Sequence, residues 1–378
     1  MTPEFDVAIV GGGPAGCAAG IVLAHAGRRV VILERSTYST ARVGETLPPD
    51  VRLLLQRLGV WSRFCGGGHA PTPGVAAAWG QTEPYTNDFI VNPYGPGWRI
   101  DRMRFDDMLA TAAAEAGAVV CRRTKVRRCY REASGGWRLG ASRDGQPLRP
   151  LSSAFLIDAT GRTPTLWRHL GARRIVHDRL VGLVRFMAPA SAVDSPDLRA
   201  LVEATEHGWW YSAWLPDRRL VVALHTDAVP GLRAQWLTHL ASAPHTSART
   251  AGMRPEQLRV LPANSQLRRP IGTRTWLAVG DAAAAHDPIT GLGVYWALKS
   301  GIAAGDALAT PTSDRASEIE AYAQAVHEQF ELYLTQRAIY YQAEQRWPDS
   351  PFWKCRHADP PRPLPAAQPP ASRLQAGC

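Results

Sequence analysis

Lysine is nearly missing from this chain. Of its 43 basic side chains only Lys125, Lys299 and Lys354 are lysines, so arginine carries the formal charge of +10 across 378 residues. There is no RNA-binding signature and no basic helix interleaved with aromatics, which argues against nucleic acid as a partner. Scattered arginines read as a genome-level preference on a solvated surface or, functionally, as a basic surface that receives an acidic peptide, protein or carrier. The six cysteines (Cys17, Cys65, Cys121, Cys129, Cys355 and Cys378) form no CxxC pair and no metal-ligand spacing. No metal site is expected, and the cysteines read as reduced thiols. Nothing basic precedes the first apolar run, Val7 to Val10, no cleavage site follows it, and no apolar run is long enough to cross a membrane. The expectation is a cytoplasmic protein without a membrane span. What remains is ordinary globular composition, 45% hydrophobic and 20% charged, with length for two domains.

Phe5 to Val10 is a short apolar run ending in glycines, as a buried parallel strand should. Small residues from Pro14 to Ala26 predict a helix closed by Gly27, and Arg29 to Leu33 a second strand closed by Glu34. Arg102 to Ala116 has the pattern of an amphipathic helix, followed by a strand over Ala118 to Arg122. Trp209 to Pro216 and Leu220 to His225 read as strands paired across a Pro216-Asp217-Arg218 turn. Trp276 to Gly280 is another buried strand, with helical patterns over Gly293–Leu308 and Glu318–Glu344.

Gly11-x-Gly13-x-x-Gly16 falls between the first strand and the first helix. Gly11 permits the tight turn, Gly13 lets the backbone approach a pyrophosphate, and Gly16 lets the helix pack closely on the sheet. The helix start at Pro14 and Ala15 offers free N–H groups to phosphate. Glu34 follows about twenty residues on, where a carboxylate accepts from ribose hydroxyls and repels a 2′-phosphate. Together they predict a dinucleotide site. A second anchor lies far along the chain. Gly280-Asp281 follows a strand and precedes a helix start bearing Gly291 and Gly293, which suits the far end of a dinucleotide that runs across the sheet.

The set Gly11-Gly13-Gly16, Glu34, Arg102, Asp158-Ala-Thr-Gly161 and Gly280-Asp281 resembles the FAD domain of aromatic hydroxylases of the para-hydroxybenzoate hydroxylase type. The resemblance implies non-covalent FAD, with Glu34 on the adenosine ribose and Val126 meeting adenine through its backbone. It further places Arg102 on the pyrophosphate or ribityl region, Asp281 on the ribityl chain, and Gly291 and Gly293 at the isoalloxazine. The resemblance also implies that Arg42 and Thr46, in the loop before the second helix, flank the cofactor. No second strand–glycine–helix unit is present, so NAD(P)H would bind transiently or a reductase partner would deliver reduced flavin. The implied fold is α/β: a Rossmann-like FAD-binding domain of glutathione-reductase type, an inserted, mostly antiparallel substrate domain, and C-terminal helices. The expected division is 1–66, 98–171 and 271–310 for the FAD domain and 67–97 with 172–270 for the substrate domain. A helical segment over 311–358 and a disordered tail over 359–378 complete it.

Val43-Gly44-Glu45-Thr46-Leu47-Pro48 and Asp287-Pro288 resemble the flavin-lining segments of flavin-dependent tryptophan halogenases. That family relays its oxidant through a lysine between the flavin loop and the pyrophosphate-contacting helix, yet this chain has no lysine before Lys125. Tyr211 and Ala213 stand where the halogenase motif has tryptophans. Gly208-Trp-Trp-Tyr-Ser-Ala-Trp-Leu-Pro216 and Arg346-Trp-Pro-Asp-Ser-Pro-Phe-Trp353 resemble the flavoprotein maturases that hydroxylate tryptophan in precursors of quinone-bearing (cysteine tryptophylquinone) amine oxidases and dehydrogenases. The resemblance implies an O₂-using monooxygenase acting through a flavin C4a-hydroperoxide. Its substrate would be an aromatic small molecule or a tryptophan-containing peptide or protein. Glu45, His286 and Asp287 are the acid–base candidates, and Trp210, Ser212 and Trp214, sharing one face of a strand, the candidate substrate pocket. The alternatives are a halogenase-like enzyme, an FAD-dependent reductase of C=C bonds, and a non-catalytic flavin-binding module.

Overall fold

The computed structural model describes residues 3–133, 135–162, 166, 170–191, 197–309 and 314–358. The expected disordered tail, 359–378, lies outside the described residues. Among those described, the first sheet has a parallel centre. Leu151–Asp158, Phe5–Val10, Val30–Leu33 and Val119–Cys121 lie side by side in that order, and Trp276–Ala278 pairs in parallel with Leu151–Asp158. The first two strands are apolar and largely buried, as a sheet covered on both faces requires. An antiparallel extension, Thr124–Arg131 with Trp137–Arg143, is attached to Leu151–Asp158.

The first helix, Pro14–His25, is buried along its length from Pro14 to Leu23. Such a helix must be small all round, because it is enclosed between the sheet and a later helix, Gly293–Ala309. A Cβ at Gly16 would stand 2.0 Å from Gly11 O, one at Gly301 2.3 Å from Ala15 O, and one at Gly305 2.7 Å from Val22 Cβ. Those glycines set the distance between the layers, and so fix the start of the first helix against the sheet.

The second large sheet is mostly antiparallel. Met253–Pro255, Leu180–Pro189, Leu220–Asp227, Gly208–Trp214, Ala200–Thr205, Gly74–Ala78 and Tyr85–Asp88 follow one another across it, and Arg259–Pro262 also pairs with Leu180–Pro189. Gly74–Ala78 joins Ala200–Thr205 in parallel, so the chain before the helix Arg102–Glu115 helps to build this sheet. A smaller sheet pairs Thr46–Leu47 and Ala70–Thr72 with Gly97–Arg99, carrying the Gly44-Glu45-Thr46 loop between the two large sheets. The long helix Arg315–Gln342 and the short Pro351–His357 close one side. The protein is therefore a mixed α/β fold with a Rossmann-like parallel sheet, antiparallel sheets and C-terminal helices. Among the described residues no helix is long and apolar enough to cross a membrane.

Candidate active site

A cavity of about 610 Å³ runs from the carboxyl ends of the parallel strands to the face of the second sheet. At its inner end Gly11 turns the chain at φ +109°, and a Cβ there would stand 2.2 Å from Ala159 O. A Cβ on Gly13, Gly291 or Gly293, all on the cavity wall, would meet nothing within 4 Å. That open space leaves room for a ligand to approach the backbone. The helix start at Gly13-Pro14-Ala15 has no side-chain cap and no acidic residue in its first turn, which leaves its N–H groups for an anion.

Glu34 reaches back over this turn. One carboxylate oxygen accepts from Gly12 N–H at 2.7 Å and the other from Ser36 N–H at 2.8 Å. Burial pushes its pKa up, but the hydrogen bonds from Ser36 and Gly12 outweigh it and hold the carboxyl below the ordinary range. Tyr38 donates to Gly12 O at 2.8 Å and braces the same turn. Thr124, Lys125 and Val126 border this end of the cavity.

Further along, Arg102 donates to both oxygens of Asp106, each at 3.0 Å, and to Val43 O. Arg42 meets the same carboxylate at 3.2 Å. Asp106, fully buried and one turn after Arg102 on its helix, orients two guanidinium groups against the cavity. Opposite them Asp281 is paired with Arg162 at 3.2 Å, and Arg162 also donates to Asn264 O at 2.6 Å and to His286 O. Uncapped helix N–H groups, a buried carboxylate beside the glycine turn, two braced arginines and open glycines fit the parts of a dinucleotide.

A model of the FAD binding domain matches residues 4–332. The chain belongs to the FAD-binding-domain family. LodB of Marinomonas mediterranea, named as an FAD-dependent oxidoreductase, is 30% identical over 366 residues, which is 94% of this chain and 97% of LodB. The myxobacterial chondrochloren halogenase CndH, a variant of FAD-dependent halogenases, has the same fold with a TM-score of 0.84 at 24% identity, over 93% of this chain and 85% of its own. The peptidyl tryptophan dihydroxylase QhpG, essential for tryptophylquinone cofactor biogenesis, superposes with a TM-score of 0.74 at 23% identity, over 93% of this chain and 78% of its own. The protein is an FAD-dependent oxidoreductase.

For a member of this family, the sequence-predicted cofactor residues are well gathered. Gly11, Gly13, Pro14, Ala15, Glu34, Arg42, Thr46, Arg102, Val126, Gly280, Asp281, Gly291 and Gly293 all border the one cavity. Gly16 does not, and acts in packing. Of the acid–base candidates, Glu45 lies in the wall with Oε1 enclosed and unpartnered, and burial raises its pKa despite nearby Arg102 and Arg99. Its burial makes charge on this carboxyl less favourable than on a solvated one. Both ring nitrogens of His286 are enclosed without a partner, and burial, aided by Arg162, pushes its pKa down to about 3. That burial favours the neutral imidazole. Asp287 is fully buried and engaged: it accepts from Tyr341 Oη at 2.7 Å, Ile289 N–H at 3.0 Å and Arg337 at 3.4 Å. Its backbone N–H meets Tyr333 Oη at 2.6 Å. Asp287 positions the Pro288–Thr290 turn that borders the cavity, so its side chain is occupied by structure.

The expected substrate pocket needs correction. Trp210, Ser212 and Trp214 share a face, but it is the face turned away from the cavity. Trp210 packs edge-on against Trp236 at 4.8 Å, Trp214 joins the same cluster, and Ser212 accepts from Arg249 at 3.1 Å. The helices Trp236–Ala241 and Pro244–Thr250 cover that side. Because strand side chains alternate, the cavity receives Tyr211 instead, together with Gly182, Val184, Phe186, Val221, Ala223 and His225 from the neighbouring strands. Sequence reasoning missed Asp106, Arg162 and His225. The i, i+4 spacing of Arg102 and Asp106 was a readable signal for the first. Arg162 directly follows the Asp158-Ala-Thr-Gly161 motif, while His225 had no local mark.

Proposed function

We propose that this flavoprotein is a monooxygenase that hydroxylates an electron-rich aromatic ring of the indole class, carried on a peptide or protein. Its electrons come from NAD(P)H bound transiently or from a reductase partner. Bound FAD supplies the redox chemistry with O₂. The chain's own residues do the rest. Glu34 and the uncapped start of Pro14–His25 hold the nucleotide, while the Arg42–Asp106–Arg102 cluster and the Arg162–Asp281 pair fix the middle of the cavity. Val184, Phe186, Val221, Ala223 and Leu261 make the far end apolar, which keeps water from the reacting atoms.

The observation that carries this reading is where the ammonium groups lie. The wall's one lysine is Lys125, beside Val126 at the Glu34 end. The end walled by the second sheet holds a Tyr211 hydroxyl and a neutral His225, so no amine stands there to capture and relay an oxidised halide. QhpG, which acts on peptidyl tryptophan, supports a peptide-borne ring, as does the arginine-rich surface. The test compares O₂-dependent NAD(P)H oxidation, with a flavin reductase added in a parallel series, on tryptophan-containing peptides, free tryptophan and simple phenols. Peptide turnover well above that of the free compounds is expected; equal efficiency would refute the peptide assignment.

A further inference from the structure

A second cavity, of about 440 Å³, lies where the C-terminal helices meet the second sheet. Its wall brings together Arg179, Arg337 and Arg356 with Asp178, Asp227 and Tyr341. Both carboxylates are already engaged. Asp178 accepts from Leu180 N–H at 3.0 Å and Ser265 N–H at 3.1 Å, and stands 3.2 Å from Arg337 Nη2. Asp227 accepts both ends of the Arg356 guanidinium, at 2.7 and 3.1 Å. The other two arginines keep donors in hand. Arg179 is exposed, and among the described residues neither a hydrogen bond nor a carboxylate holds its guanidinium. Arg337 is only 7% exposed and borders this cavity but not the first. It turns Nε to Asp287 and Nη2 to Asp178, while Nη1 has no partner among the described residues and is not sealed from solvent. A buried guanidinium is always charged and needs an acceptor for each face of its fork. A cavity of this size beside it has room for a small metabolite that brings one.

Arg337 also ties this cavity to the one that takes FAD. Its Nε donates to Asp287 Oδ2 at 3.4 Å, and Tyr341 Oη donates to the same oxygen at 2.7 Å. The other oxygen of Asp287 accepts from Ile289 N–H and holds the Pro288–Thr290 turn, which borders the FAD cavity. Tyr341 Oη accepts in turn from Trp209 Nε1 at 3.1 Å, and the Trp209 ring stacks on His225. The partition between the two cavities is one hydrogen-bonded unit.

We infer that the second cavity binds a small anion bearing phosphate or carboxylate oxygens, held by Arg337 Nη1 and Arg179, and that its occupancy is felt at the flavin through Asp287. An anionic oxygen there competes with Asp178 and Asp287 for Arg337, and so loosens the hold of Asp287 on the Pro288–Thr290 turn. A neutral or cationic compound of the same size would leave the open donors of both arginines unmet.

The experiment titrates the FAD-loaded full chain with inorganic phosphate and with citrate, at an ionic strength held constant by sodium chloride, and reads calorimetry and flavin fluorescence together. At least one of the two anions is expected to bind saturably, one per chain, with a flavin response of the same midpoint. Arg179→Gln, at an exposed position, keeps the melting temperature of the parent and weakens that binding about fivefold. Arg337→Lys, which keeps a cation for Asp178 but has no Nη1, weakens it further and shrinks the flavin response. Arg131→Gln, exposed and bordering neither cavity, leaves both readings as in the parent. No saturable binding above the chloride control, or an equal loss in Arg131→Gln and Arg179→Gln, overturns the site. Saturable binding that leaves the flavin signal unchanged overturns the link through Asp287.

Discussion

Glu34 and Glu45 are the same side chain placed in opposite circumstances. Glu34 is buried but accepts from two backbone N–H groups, so the folded state favours its charge. Glu45 is buried with an oxygen unpartnered, so the folded state disfavours its charge. The linkage signs follow. A depressed folded-state pKa gives stability that is present above the unfolded value and is lost as pH falls through the folded one. Glu34→Gln is therefore expected to weaken FAD binding at neutral pH and to remove the acid limb of a FAD-affinity profile; equilibrium dialysis across pH reads both. A raised folded-state pKa acts the other way, and its stability is lost as pH rises. Glu45→Gln should raise the melting temperature at neutral pH and leave it unchanged near pH 3, by calorimetry. An unchanged melting temperature at neutral pH would mean that Glu45 has found a partner for its charge. Asp287 makes a third case. Burial raises its pKa while Arg337 and Tyr341 draw the charge back. Removing its carboxylate in Asp287→Ala leaves a buried guanidinium half-paired, at a cost of roughly 3 kcal/mol, measurable by denaturant unfolding.

At the scale of elements, the glycine fingerprint, the parallel strands and the helices were legible because each has a local cause: small residues where layers touch, apolar runs where a sheet is covered. The inner face of Gly208–Trp214 was not legible. Its two faces carry tryptophans alike, and period two cannot say which is inward. The answer came from Trp236 and the helical insertion around it, which lies over Trp210, and from His225 pairing with Trp209 in the neighbouring strand. Asp106 was within reach of a pattern argument, but His225 required the sheet register. Packing between the first helix and Gly293–Ala309 gives the prediction at this scale. Gly301→Ala places a methyl group 2.3 Å from Ala15 O. Overpacking of this kind costs about 1–3 kcal/mol, and because it shifts the start of the first helix it should also weaken FAD retention on gel filtration. Retention as strong as in the parent protein would show that the helix start is fixed independently of that contact.

At the scale of the molecule, two sheets with different work meet at one cavity. The parallel sheet ends in glycines, Glu34 and Asp281, and the antiparallel sheet faces them with an apolar wall bearing Tyr211 and His225. The same fold is shared with CndH, a halogenase, and with QhpG, a hydroxylase of peptidyl tryptophan, so the reaction is decided by side chains at the wall. The direct test supplies the FAD-loaded protein with reductant, isotopically heavy O₂, chloride and bromide together, and an indole-bearing peptide, and reads the product by mass spectrometry. Heavy oxygen on the aromatic ring with no halogen incorporated is the predicted result. A halogenated ring, or a modified ring without heavy oxygen, would contradict the account.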